Sequence, residues 1–294
     1  MILVLMLQTA ATTVVTTSAL QSRRLPESSG VVVSRAHRGI LWTHNDSGDR
    51  PYLYATDLRG RDRGALLVPG AENVDWEDIA LGPCPTVTPT ILPAPNSACL
   101  YIADTGDNLQ SRSGATIYAV PEPDPPVGPS DTLRTTAAPA RLRLRYPDGS
   151  HDVEAVYVSF RDSAIYLVSK GRAGPVRLYR VPREAWSAGP RAIATAQLVQ
   201  TLPITPDRSA GRLVTAAAMR PDGRLVAVRT YTEVYFFTPG VGGRLTPSER
   251  SVCSVAGLER LGEALDFWDD STLVLTSESD PLGPGTIDTV RCAP

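Results

Sequence analysis

The sequence predicts an all-β fold, a five-bladed β-propeller closed by an N-terminal strand, on three observations. One two-strand phrase recurs five times along the chain. Each recurrence extends to four strands, the content of one propeller blade. The last recurrence stops after its third strand, and the N-terminus carries a run that can supply the fourth. A fixed-period repeat of this kind favours one closed ring over two separate domains.

The phrase is plainest where Asp152 and Glu154 open the apolar run 153–157, a turn follows at 161–163, and 166–169 ends on Lys170. It returns from Glu263, with a second strand over 273–277 ending on Glu278. With threonine for the acid it starts at Thr215 and ends its second strand on Arg229. Near the start it opens at Ser29 and reaches His44 and Asn45. The fifth copy opens at Glu77 and reaches Asp104 only after the proline-rich insertion 82–98. Third strands follow at 52–55, 115–120, 177–181, 233–237 and 286–290, and outer strands are expected at 65–68, 142–145, 197–202 and 251–255. The missing outer strand falls at about 18–21, so closure needs the chain from about Thr13 onward. Residues 1–12 are expected to be the remnant of a signal peptide, short and without a basic start, and 13–294 one propeller domain. No stretch reaches the ~20 apolar residues of a membrane span.

Formal charge is −2 with acids and bases interspersed, so no nucleic-acid or anionic-membrane partner is expected. A monomer is expected. The four cysteines suit two disulfides, Cys84–Cys99 across the neck of the insertion and Cys253–Cys292 near the end, and hence a secreted or periplasmic setting. Four reduced thiols are the alternative. Lys170 is the single lysine in a chain that otherwise uses arginine.

In a propeller the first strand of each blade lines the central channel. The repeat therefore sets Ser29, Glu77, Glu154, Thr215 and Glu263 at one level. Three carboxylates converging at low dielectric either hold protons or hold a cation. All-oxygen ligands suit Ca²⁺ better than zinc or a redox metal. The bland alternative is that each glutamate caps backbone amides of a neighbouring blade. A second ring at the ends of the second strands comprises Asp46 in HNDSGD, Asp104 and Asp107 in DTGDN, Lys170, Arg229 with Tyr231, and Glu278. Acids and cations at one mouth make a polar ligand site, although Asp, Asn, Ser and Gly are also what tight turns require. His44 lies within this ring as a candidate acid or base. No nucleophile elbow, P-loop or zincin motif is present.

The phrases HNDSGD, DWEDIA and DTGDN, the Asp-x-Glu-Ala step and Arg-Thr-Tyr resemble those of secreted bacterial β-propellers that are mostly uncharacterised. The order Ser29, Glu77, Glu154, Thr215, Glu263 also resembles the calcium-activated nucleotidases (apyrases), five-bladed propellers with a central Ca²⁺. That resemblance implies metal ligands at those five positions and basic groups near a nucleotide at Lys170 and Arg229. Thr215 departs from the usual serine, and the second-blade loop reads DTGDN. Two classes of function follow. One is a Ca²⁺-dependent hydrolase of phosphoanhydrides or phosphoesters, with Lys170 and Arg229 offsetting charge and Asp46, Asp104 or Asp107 activating water. The other is a non-catalytic propeller binding a glycan, a peptide or an envelope component.

Overall fold

The computed structural model describes residues 12–87, 97–128, 134–189, 191–249 and 252–292. Five sheets stand around a ring, and their innermost strands touch in the order Ser28–Val33, Trp76–Pro83, Val153–Val158, Val214–Met219, Gly262–Phe267 and back to the first. Each sheet runs outward by antiparallel pairing. The second strands are Leu41–Asn45, Ala98–Asp104, Ile165–Ser169, Val226–Thr230 and Thr272–Ser277. Among the described residues the helices are two short 3-10 segments, Arg183–Ala188 and Val241–Gly243. The chain is therefore the five-bladed propeller that its repeat predicts.

Burial grades from the axis outward, and the sequence carries that gradient. Val153–Val158 reads VEAVYV and is buried at every position, because neighbouring blades cover both of its faces. Ala140–Arg145 at the rim reads ARLRLR, with the leucines buried and the arginines exposed. Between blades 1 and 2, Trp42 and Trp76 pack with Val32, Leu100 and Ile102. Trp76 is thus the inter-blade wedge, its Nε1 donating to the Glu72 carbonyl at 2.9 Å. Each such large apolar side chain contributes roughly 1.5–3 kcal/mol when fully buried.

The closing strand differs from expectation in extent. It spans Thr12–Ala19 and pairs antiparallel with Thr286–Cys292, Thr12 opposite Cys292 and Ala19 opposite Thr286. The whole third strand of blade 5 needs a partner, and the Thr/Val run before position 18 provides it. Leu20 and Gln21 instead leave the strand, the Gln21 amide donating to the Gly60 carbonyl of blade 1. The outer strand of blade 4 is split into Leu245–Pro247 and Cys253–Ser254, not continuous over 251–255. Two linkers add unforeseen parallel strands, Arg134–Thr135 beside Ala65–Leu67 and Ile193–Thr195 beside Ala140–Arg145, which cover blade edges. Both expected disulfides form, with Cα separations of 4.8 Å for Cys84–Cys99 and 5.5 Å for Cys253–Cys292. Most of the proline-rich insertion and residues 1–11 of the expected signal remnant lie outside the described residues, whereas Thr12, expected to end that remnant, opens the closing strand. No helix among the described residues is long and apolar enough to cross a membrane.

Candidate metal centre

The innermost strand of every blade slips its pairing register by one residue at the same place. The skipped residues are Ser29, Glu77, Glu154, Thr215 and Glu263. An extra residue in one strand of an antiparallel pair has no partner opposite, so its side chain leaves the usual alternation and the strand twists locally. Repeated five times around a ring, this device gathers the five side chains at one level. Ser29 Oγ donates to the Glu77 carbonyl of the next blade at 2.8 Å. Lys170 Nζ, from the end of the second strand of blade 3, lies 2.6 Å from Glu154 Oε2.

Water is nearly excluded, and the charges respond. Burial lifts the Glu77 carboxyl well above its ordinary range, and Glu154 and Asp46 push it further. Burial does the same to Glu154, against the pull of Lys170 and with the help of Asp152 and Glu263. Glu263 is raised by burial to about 7, opposed by Lys170, Arg229 and the Tyr231 hydroxyl. At the rim, burial and then Glu263 and Asp46 raise Glu278 to about 8. Burial alone would lower the Lys170 ammonium, but Glu154, Tyr231 and Glu77 hold it above the ordinary lysine value. The centre is an excess of carboxylates over cations, with Lys170 on Glu154 and Arg172 beside Asp152.

The donors fit a cation. Glu154 Oε1 and Thr215 Oγ1 are buried and have no hydrogen-bond partner among the described residues. Asp152 Oδ2 likewise accepts no hydrogen bond, although the Arg172 guanidinium lies 3.8 Å away. Buried polar groups in folded proteins are otherwise nearly always satisfied. Glu77, Asp152 and Glu154 present oxygens within 4.8 Å of one another, and so do Asp46, Asp75 and Glu77. This buried acidic cluster can hold a metal ion, and its all-oxygen character suits a hard cation.

Amide capping, the alternative reading of the glutamates, is carried out by a different residue. Asp78 is fully buried, its Oδ2 accepting the amides of Val156 in blade 3 (2.9 Å) and Ala217 in blade 4 (3.3 Å). Its Oδ1 accepts the Ile79 amide at 2.8 Å. Asp266 repeats the device between blades 5 and 1, accepting the Val33 and Phe267 amides. These two acids tie the innermost strands together across blades.

The second expected ring is only partly assembled. Asp46 and Lys170 reach the cluster and act electrostatically on one another. Arg229 does not open on the mouth. It is fully buried, donates to the Ala264 and Thr276 carbonyls, and pairs with the Glu259 carboxylate. Gly262 makes room for it, since a Cβ there would lie 1.8 Å from Arg229 Nη2. Asp104 is held by Arg112 at 2.9 Å, and Asp107 accepts the Ser111 and Arg112 amides at 2.8 Å each. Both acids shape the DTGDN loop, whose Asp107 amide donates to Asp152 Oδ1 at 3.0 Å. His44 packs edge-on against Trp76, and burial lowers it to about 4, so it is neutral and sealed from solvent.

Sequence reading passed over Asp75 and Asp152 as site residues. The available signal was the Asp-x-Glu spacing, which occurs as Asp75-Trp76-Glu77 and again as Asp152-Val153-Glu154.

No protein-family model and no curated protein matches this sequence. Solved structures with similar chain traces include a glucose dehydrogenase (12% identity, TM-score 0.47, covering 95% of this chain and 99% of that one). Another is an auxiliary nutrient binding protein from Bacteroides thetaiotaomicron (10% identity, TM-score 0.42, covering 90% of this chain and 57% of that one). A third is the Dos1 propeller (11% identity, TM-score 0.36, covering 85% of this chain and 53% of that one). At these identities and TM-scores the likenesses carry nothing about function.

Proposed function

We propose that the protein is an extracytoplasmic propeller that binds Ca²⁺ in its central ring and there hydrolyses phosphoanhydride or phosphoester substrates. The observation that carries this reading is the pair of orphaned buried oxygens, Glu154 Oε1 and Thr215 Oγ1, within a five-fold repeat of strand bulges. Glu77, Glu154 and Glu263 would hold the ion with Ser29 and Thr215, joined by Asp152. Bound calcium would supply positive charge for an anionic substrate and polarise its phosphoryl oxygens. Lys170 adds a second positive charge at the same level. Glu278 at the rim, raised to about 8 by burial and by Glu263 and Asp46, is a candidate general acid or base. Two disulfides are compatible with an oxidising compartment.

The test is metal content together with turnover of a panel of nucleotides and phosphoesters, with calcium and with a chelator. Calcium-dependent phosphate release is the expected result. A calcium-loaded protein that leaves every substrate intact ends the enzyme reading. The second reading, a non-catalytic propeller for a glycan, a peptide or an envelope component, draws on Arg229. With that guanidinium packed between blades 4 and 5, Lys170 is the sole basic side chain of the expected pair left at the ring.

A further inference from the structure

Two sets of carboxylates meet in the ring, and they share one residue. Glu77, Asp152 and Glu154 form the set beside the axis, while Asp46, Asp75 and Glu77 form a second set toward blade 1. Glu77 is 5% exposed, yet among the described residues neither of its carboxylate oxygens accepts a hydrogen bond. The Asp75 carboxylate is equally without a donor, although the Asp75 amide and carbonyl are both engaged.

Gly106 explains how the two carboxylates come together. A Cβ at that position would lie 1.9 Å from Glu77 Oε1 and 2.5 Å from Asp75 Oδ2. The two oxygens therefore converge over a backbone that has no side chain to separate them. Anions at such separation repel, here with Glu77 buried and Asp46 and Asp75 half-buried. Lys170 is paired with Glu154 Oε2. Five carboxylates (Asp46, Asp75, Glu77, Asp152, Glu154) thus face the Lys170 ammonium and the Arg172 guanidinium beside Asp152, a deficit of three positive charges if all are ionised. One divalent cation leaves one negative charge uncompensated.

We propose that the ring binds two divalent cations bridged by the Glu77 carboxylate, the second held by Asp46, Asp75 and Glu77. The proposal rests on the calcium reading above and extends it from one ion to a pair. Carboxylate-bridged divalent ions commonly lie about 3.5–4 Å apart, a separation that oxygens grouped within 4.8 Å can support. A substrate bearing two adjacent anionic groups, as a phosphoanhydride does, would match a cation pair better than a single ion.

Calorimetry of the full chain, stripped with a chelator and titrated with CaCl₂, reads the stoichiometry. Two ions per chain are expected for the wild type, one for Asp75→Asn and one for Glu154→Gln. Glu77→Gln should weaken both by tenfold or more. Melting temperatures in chelator at or above that of the wild type establish that each variant is folded. A wild type that binds one ion, with Asp75→Asn unchanged, overturns the pair and leaves the axial site standing. A wild type that binds none removes both readings. Mn²⁺ serves as the second probe: at saturation an exchange-coupled paramagnetic resonance spectrum is expected, and two uncoupled ions would overturn the shared bridge.

Discussion

Glu77 and Asp78 are consecutive, acidic and buried, and they differ in everything else. Asp78 accepts three amide hydrogen bonds, two of them from blades 3 and 4. Glu77, one residue nearer the mouth and placed at a bulge, accepts none. The first is an internal tie whose acceptor capacity is consumed by the fold. The second is held by the fold with its capacity open. What separates a structural acid from a ligand-holding one here is the supply of donors, because burial is common to both.

The comparison is sharpest one blade pair further on, where Arg229 and Lys170 repeat it with cations. Arg229 is consumed by Glu259 and two carbonyls, whereas Lys170 stands among the bulge carboxylates. Arg229→Ala should be the most damaging single change, costing about 3–5 kcal/mol, because it leaves the Glu259 carboxyl buried without its partner. Urea unfolding gives the number. Lys170→Ala should leave stability nearly intact in calcium and lower any phosphoryl turnover by on the order of 10². Equal losses of stability in the two variants would erase the distinction.

Asp78→Ala comes next. Three buried amides lose their acceptor, and an unsatisfied buried donor costs about 1–3 kcal/mol, so with the low end of that range at each a loss of about 3 kcal/mol is expected. Glu77→Gln, by contrast, should leave the chelated protein as stable as the wild type, or more so, since it removes a repelling charge. It should also abolish the rise in melting temperature that calcium gives the wild type, because a ligand bound only by the native state stabilises it by mass action. Thermal melts of both variants with and without calcium decide the matter. A calcium response that survives in Glu77→Gln moves the site elsewhere.

The same contrast predicts the pH dependence. Asp75, Glu263 and Glu278 are raised by burial to about 6, about 7 and about 8. Folded protein therefore binds more protons than unfolded protein between the ordinary carboxylate range and those values. Stability without calcium should be full below about pH 4 as far as these groups are concerned, and should fall as pH rises towards 8. For Glu263 alone the change is at most on the order of 3 kcal/mol. Calcium should flatten the slope by compensating the carboxylates. A chelated protein whose melting temperature rises from pH 5 to pH 8 would show that these acids are not the dominant titrating groups.

Much of this was legible in the sequence because a propeller repeats. Periodicity aligned Ser29, Glu77, Glu154, Thr215 and Glu263, and the structure sets a bulge at each. Periodicity also aligned Arg229 with Lys170, and there it misled. The difference is one of register: Arg229 lies opposite Ala216 as Val168 lies opposite Ala155, so Tyr231 stands at the Lys170 position, and Gly262 of the next blade leaves a slot for the guanidinium. Nor could DWED reveal which of its acids meets amides, since the donors lie 78 and 139 residues away. Local pattern reports the level of a side chain in the ring. It does not report what the neighbouring blade offers it.

Gly106→Ala should have the smallest effect and tests the cradle most directly. The backbone at Gly106 does not lie in the left-handed region, so alanine meets no conformational penalty of that kind. Its Cβ would instead press on the Glu77 and Asp75 carboxylates, forcing them apart. In chelator that separation relieves repulsion, and the melting temperature should stay within a degree or two of the wild type. In calcium the two oxygens can no longer close on one ion, and affinity should fall by about tenfold, or ~1.4 kcal/mol. Calorimetry should place most of that loss in the second ion, since the atoms nearest the added Cβ belong to Asp75 and Glu77 and not to Asp152 or Glu154. An equal loss of stability with and without calcium would mean that the glycine serves only the packing of the DTGDN loop.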